Sequence, residues 1–144
     1  AKYVFDNYGF NCFADDTGLE INALGGHPGV YSARYAGDQC RAEDNIKKVL
    51  VKLEGVEDRS ANFRTVIALI INGKEILFNG KCHGSITKTK SGVKGFGYDP
   101  IFIPDGFDKT FAEMTKQEKG AISHRGKAVQ ELIIVLLRSC LLGD

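Results

Sequence analysis

Three short stretches of this 144-residue chain carry side chains that could do chemistry together. The first is Phe13-Ala14-Asp15-Asp16-Thr17-Gly18-Leu19-Glu20, a carboxylate pair where a strand is expected to end. Strand ends open toward clefts in α/β folds, and a hard cation such as Mg²⁺ takes oxygen ligands there. Successive strand side chains point to opposite faces, so Asp15 and Asp16 do not easily reach one metal together. Asp15-Asp16-Thr17-Gly18 also reads as a plain turn, with a carboxylate bonding nearby amides.

The second stretch is Gly95-Phe96-Gly97-Tyr98-Asp99-Pro100. Flanking glycines let backbone approach a ligand, and a rigid aromatic stacks on a nucleobase for roughly 1–3 kcal/mol. A surface turn whose aromatics cap the core fits the same letters. The third is Lys119 followed by Ser123-His124-Arg125. Ser123 is a good N-cap for the last helix, which puts His124 and Arg125 in its first turn. Ionised side chains there oppose the helix dipole at roughly 0.3–1 kcal/mol each, a cost that a bound anion or polar ligand would offset. The plainer alternative is solvated charge held by local carboxylates such as Glu113 and Glu118. Metal carboxylate, stacking loop and basic helix start together describe a nucleotide site.

The elements that must position these residues follow from periodicity. Ala1 to Tyr8 reads as the tail of a helix stopped by Gly9, without an N-cap. Asn11 to Asp16 suits a strand, Thr17-Gly18 a turn after it, and Leu24 to Gly29 a loop. From Ala42 to Leu53 the residues Ile46, Val49, Leu50 and Leu53 recur at helical spacing, and Gly55 closes the segment. Phe63 to Ile71, Asn72-Gly73 and Glu75 to Asn79 predict a hairpin on a type I′ turn, which Ser85 to Thr89 could extend. Gly92 to Asp99 is a loop, followed by the apolar Ile101 to Ile103 and the turn Pro104-Asp105-Gly106. Thr115 with Glu118 matches a capping box, so a short helical turn is expected just before Lys119. A final helix from Ser123 to Cys140 carries Ala128, Leu132, Val135 and Leu136 on one stripe, widened by Ile133, Ile134 and Leu137, and is expected to be well buried. Interleaved strands and helices with one hairpin predict an α/β domain with a mixed sheet.

Bulk properties narrow the partners. A formal net charge of +1 gives no field favouring a nucleic acid polymer or an anionic membrane, so a small ligand or another protein fits better. The longest apolar run, Leu132 to Leu137, is far too short to span a bilayer, and no apolar signal core appears. The cysteines Cys12, Cys40, Cys82 and Cys140 form no Cys-x-x-Cys pair and read as reduced thiols of a cytoplasmic protein, with a disulfide as the alternative. His27, His83 and His124 show no zinc-ligand spacing.

At its three stretches the chain resembles the inosine triphosphate pyrophosphatase family. Phe13 to Gly37 is similar to that family's metal-binding segment, Gly95 to Phe102 to its base-pocket loop, and Ala112 to Arg125 to its basic recognition segment, in the same order. The resemblance implies a twisted sheet flanked by helices, two lobes around a nucleotide cleft, and hydrolysis of non-standard purine nucleoside triphosphates (ITP, dITP, XTP) to the monophosphate and pyrophosphate. It further implies Mg²⁺ as cofactor and a cytoplasmic homodimer. By position, Asp16 would be metal ligand and base for the attacking water, and Thr17 would help hold the substrate. Phe96 would stack on the purine, with Gly97, Tyr98 and Asp99 completing that loop's contacts. Lys119, His124 and Arg125 would contact the nucleotide, the last two reading the 6-keto edge.

The family's N-terminal strand, its phosphate-gripping loop with an Asn and a Lys, and a glutamate that shares the metal have no counterpart here. The expectation is therefore one nucleotide pyrophosphatase domain over 1–144 lacking that segment. Two competing readings are a nucleotide-binding protein or inactive fragment without turnover, and a related pyrophosphatase acting on modified pyrimidines. The Phe96 loop followed by Ser123-His124-Arg125 points away from the latter.

Overall fold

The computed structural model describes residues 1–142. Its elements in chain order are α1 (Lys2–Tyr8), β1 (Cys12–Ile21), β2 (Pro28–Gly29), α2 (Ala42–Lys52), β3 (Ser60–Ile71), β4 (Lys74–Ile86), β5 (Phe102–Pro104), α3 (Lys116–Ile122) and α4 (His124–Leu142). The strands form one sheet in the order β2-β1-β3-β4-β5. The α/β class and the flanking helices match expectation. The sheet does not mix directions: every pairing among the described residues is antiparallel.

The hairpin β3–β4 forms the spine of the sheet. Asn72 and Gly73 take φ of 50° and 75°, as a two-residue I′ turn demands, and pairing then runs from Ile71↔Lys74 to Ser60↔Ser85. Its period-2 pattern turns Phe63, Thr65, Ile67 and Leu69 of β3, with Phe78, Cys82 and Ile86 of β4, to one buried face. Two core clusters share that face. One gathers Leu19, Ile21, Phe63, Phe102, Phe111 and Met114 with Ile46 and Val49 of α2 and Leu53 just beyond it. The other packs Ile67, Leu69 and Phe78 against Ala128 and Leu132 of α4.

Several boundaries differ from the sequence reading. Thr17-Gly18 is no turn, because β1 continues through it to Ile21 and the alternation persists into the buried Leu19 and Ile21. Gly18 serves a different need: a Cβ there would press on the Gly29 carbonyl of β2. The carboxylate pair is thus mid-strand rather than at a strand end. Within the expected loop Leu24 to Gly29, Pro28 and Gly29 pair with Glu20 and Leu19. Because β2 covers only those two positions, the outer edge of β1 from Cys12 to Thr17 has no strand neighbour among the described residues. Helix α4 is also less buried than predicted: Ala128 and Leu132 are covered, but Ile133, Ile134 and Leu137 are about half exposed. Elsewhere the reading holds. Gly9 ends α1 in the left-handed region with its N–H on the Phe5 carbonyl (2.8 Å), and the four cysteines are free thiols.

Candidate functional site

Helix α4 begins where Ser123 Oγ accepts the Gly126 N–H (3.0 Å), the N-cap expected from sequence. Just before it, Thr115 and Glu118 close a reciprocal capping box that sets the direction of α3 and so the position of Lys119. The start of α4 lies directly on β4, since a Cβ at Gly80 would land on the carbonyl oxygen of His124. Bare backbone at Gly80 therefore sets how deep the His124-Arg125 pair sits.

The Gly95–Asp99 loop is folded back on itself. The carboxylate of Asp99, only 3% exposed, accepts the Phe96 N–H (3.0 Å) and pairs with Lys119 Nζ (2.6 Å). Gly95, at φ 76°, leaves room for that carboxylate, which a Cβ would strike. Tyr98 is buried, and its hydroxyl donates to the Ser32 carbonyl (2.6 Å); burial pushes the phenol above its ordinary pKa. Ser32 Oγ accepts the Leu19 N–H (2.9 Å), while Asn45 Nδ2 donates to the carbonyls of Ser32 (3.3 Å) and Ala33 (2.9 Å). Through Ser32 this buried network ties the loop to β1. With Tyr98 and Asp99 turned inward, the loop presents Phe96, which is 65% exposed.

Both nearby cations face that ring. Lys119 Nζ lies 5.0 Å and Arg125 Cζ 5.6 Å from the Phe96 centroid. Arg125 Nη2 donates to Asp15 (3.1 Å) and contacts Thr17 Oγ1 (3.4 Å), and Thr17 shares a hydroxyl bond with the buried Thr65 (2.7 Å). The acids at these cations are thus Asp15 and Asp99, not the local Glu113 and Glu118. Glu118 is bonded to Lys109, which holds its carboxyl down to about 2, and Glu113 accepts from Thr110 and Ser91. His124 is no cation at neutral pH. Its ring is 6% exposed and stacks on Phe63 (centroids 4.7 Å apart). Burial first, then the charges of Lys119, Arg125 and Lys127, push its pKa to about 3. Its Nδ1 is buried without a hydrogen-bond partner.

One cavity of about 430 Å³ joins these groups, and all nine residues singled out from sequence line it: Asp16, Thr17, Phe96, Gly97, Tyr98, Asp99, Lys119, His124 and Arg125. Sequence reasoning missed the floor made by Ser32, Asn45 and Phe63. A larger groove of about 560 Å³ runs past Leu53, Glu57 and Lys88, but its Arg59 is already spent on the carbonyls of Leu53, Ile86 and Thr87.

A profile of the Ham1 family matches residues 1–135. The chain is 59% identical over 136 residues to a dITP/XTP pyrophosphatase of Flavobacterium johnsoniae, covering 94% of this chain and 71% of that protein. It belongs to the Ham1 family. A dITP/XTP pyrophosphatase of Porphyromonas gingivalis is 51% identical, over 95% of this chain and 71% of that one. Among solved structures, the Staphylococcus aureus Ham1 protein superposes with a TM-score of 0.92 at 42% identity, covering 96% of this chain and 72% of its own. A nucleoside-triphosphatase (dITP/XTP pyrophosphatase) of Mycobacterium abscessus gives 0.81 at 41%, covering 94% and 71%. The resemblance read from the three stretches is borne out.

The Ham1 fold here sets limits on a metal. Among the described residues no group of three or more His, Cys, Asp or Glu converges to hold one. Mg²⁺ needs less from a protein, since it keeps several waters and takes one or two carboxylates plus substrate phosphates. Asp16 fits that part. It is among the residues that line the cavity and its carboxylate has no hydrogen bond or ion pair among the described residues, while alternation along β1 sets its side chain on the strand face opposite Asp15 and Thr17.

Proposed function

We infer that this chain is a nucleoside-triphosphate pyrophosphatase that hydrolyses non-standard purine nucleotides such as ITP, dITP and XTP. Water attacks the α-phosphorus, the bond to the bridging oxygen breaks, and the nucleoside monophosphate and pyrophosphate leave. The observation that carries this is the single cavity joining the acidic strand β1, the exposed Phe96 ring and the start of α4. The names borne by close relatives support the substrate class.

Each residue then has a role. Phe96 is the platform for the purine, a stack of roughly 1–3 kcal/mol. Arg125 and the neutral His124 face the base edge. Donors aimed at a 6-keto oxygen accept inosine or xanthosine and reject adenine, whose amino group leaves buried donors unpaired; such mismatches reach about 10⁴-fold. Tyr98 and Asp99 hold the loop from beneath, and Lys119, paired with Asp99 beside the Phe96 ring, would contact the nucleotide there. Thr17 holds substrate beside Asp16, which takes the proton of the attacking water. Mg²⁺, held in part by Asp16, would supply charge neutralisation along the triphosphate. The same reading makes the protein one pyrophosphatase domain, a homodimer, and cytoplasmic; its free thiols support a reducing compartment. None of its described helices is long and apolar enough to cross a membrane.

The test is pyrophosphate release from ITP and XTP against ATP, with Asp16→Asn as control. Strong preference for the first pair is expected, and Asp16→Asn should abolish turnover on every substrate while the fold persists. Equal rates on all three substrates would refute the specificity. The sparse carboxylate set favours one second reading, binding without turnover. Calorimetry separates the two, since a pure binder takes up the triphosphate and leaves it intact for hours.

A further inference from the structure

The tandem Asp15-Asp16 places like residues on opposite faces of β1, and among the described residues only one of the two has a side-chain partner. Asp15 lies on the face that also carries Thr17, and its Oδ2 accepts from Arg125 Nη2 at 3.1 Å. Arg125 needs such a partner. It sits in the first turn of α4, where the dipole opposes a positive charge, and its long side chain is costly to immobilise.

The contact is economical with donors. Asp15 and Thr17 both engage Nη2, and among the described residues Nε and Nη1 make no hydrogen bond. The guanidinium is thus fixed at one corner, lies against Phe96, and keeps most of its fork for a ligand. A base stacked on Phe96 would meet a donor set already in place.

We propose that Asp15 is a specificity-determining positioning residue: it holds Arg125 over the Phe96 platform so that keto purines are selected, and it takes no part in metal binding. This rests on the functional reading above. The two adjacent aspartates then serve opposite ends of the nucleotide, Asp15 the base and Asp16 the phosphates.

The experiment is a double-mutant cycle of Asp15→Ala and Arg125→Ala, with Asp15→Asn alongside. Two ratios are read: kcat/KM for ITP over ATP, and calorimetric affinity for IMP over AMP. The Mg²⁺ concentration giving half-maximal rate is a third readout. Freeing one long side chain costs selectivity roughly three- to tenfold. Asp15→Ala should therefore lower the ratios by about that factor, and adding it to Arg125→Ala should lower them no further. Asp15→Asn, which keeps an acceptor oxygen, should retain part of the selectivity, and none of the Asp15 variants should shift the Mg²⁺ requirement.

Additive losses, an unchanged ratio in Asp15→Ala, or a raised Mg²⁺ requirement would each overturn the proposal. A merely structural role would lower rates on ITP and ATP alike and leave the ratios where they were. If the wild-type protein itself prefers neither ITP nor IMP, the functional reading has failed, and the positioning role falls with it. If the wild type is selective and the cycle is additive, only the role of Asp15 is lost.

Discussion

Acid should unfold this protein through His124, and the effect is large enough to isolate. The folded-state pKa lies at about 3 against an ordinary 6.5, a depression caused mainly by burial and increased by Lys119, Arg125 and Lys127. For a depressed histidine the unfolded chain binds the proton first. The contribution to stability is therefore complete above pH 6.5 and is lost as pH falls toward 3. At pH 4 the unfolded imidazole is about 2.5 units below its own pKa, and at about 1.36 kcal/mol per unit the folded state has lost roughly 3 kcal/mol. The carboxylates Glu113 and Glu118, held low by their hydrogen bonds, also lose stability on acidification, so the wild type alone does not resolve the histidine. His124→Gln removes the titration and keeps a neutral polar side chain. Urea unfolding of both proteins at pH 7 and pH 4 should show the wild type losing about 3 kcal/mol more than the variant. Parallel losses, or an imidazole proton resonance that titrates near pH 6.5 in the folded state, would refute the argument.

Other expectations follow from packing. Gly80→Ala puts a methyl against the first turn of α4, and overpacking of this kind costs about 1–3 kcal/mol; thermal unfolding and IMP affinity should fall together. Tyr98→Phe leaves the Ser32 carbonyl one donor short, for about 1 kcal/mol, and should raise KM for ITP with kcat nearly unchanged, because it loosens the loop rather than the reacting atoms. Leu132→Ala, under the sheet at Ile67 and Phe78, should cost about 2–5 kcal/mol in chemical denaturation without altering substrate preference.

What could be read from sequence was what local rules govern. Asn72-Gly73 between β-branched runs, the Thr115-Glu118 box, the Ser123 cap and the period of Ile46, Val49 and Leu53 each carry their own signal within a few residues, and each proved correct. The misreadings involve partners distant in the chain. Gly18 looked like a turn residue because nothing nearby reveals that the Gly29 backbone presses on it. Glu113 and Glu118 looked like counter-charges for the basic segment because they are near in sequence; the real one at Arg125 is Asp15, 110 residues away. The stripe on α4 was found correctly, but periodicity reports which positions are apolar, not what covers them. The nine candidate residues, all of which line one cavity, could be named because resemblance fixed their order. The network of Ser32, Asn45 and Tyr98 beneath them could not, since serine and asparagine in a loop and a helix carry no mark of burial.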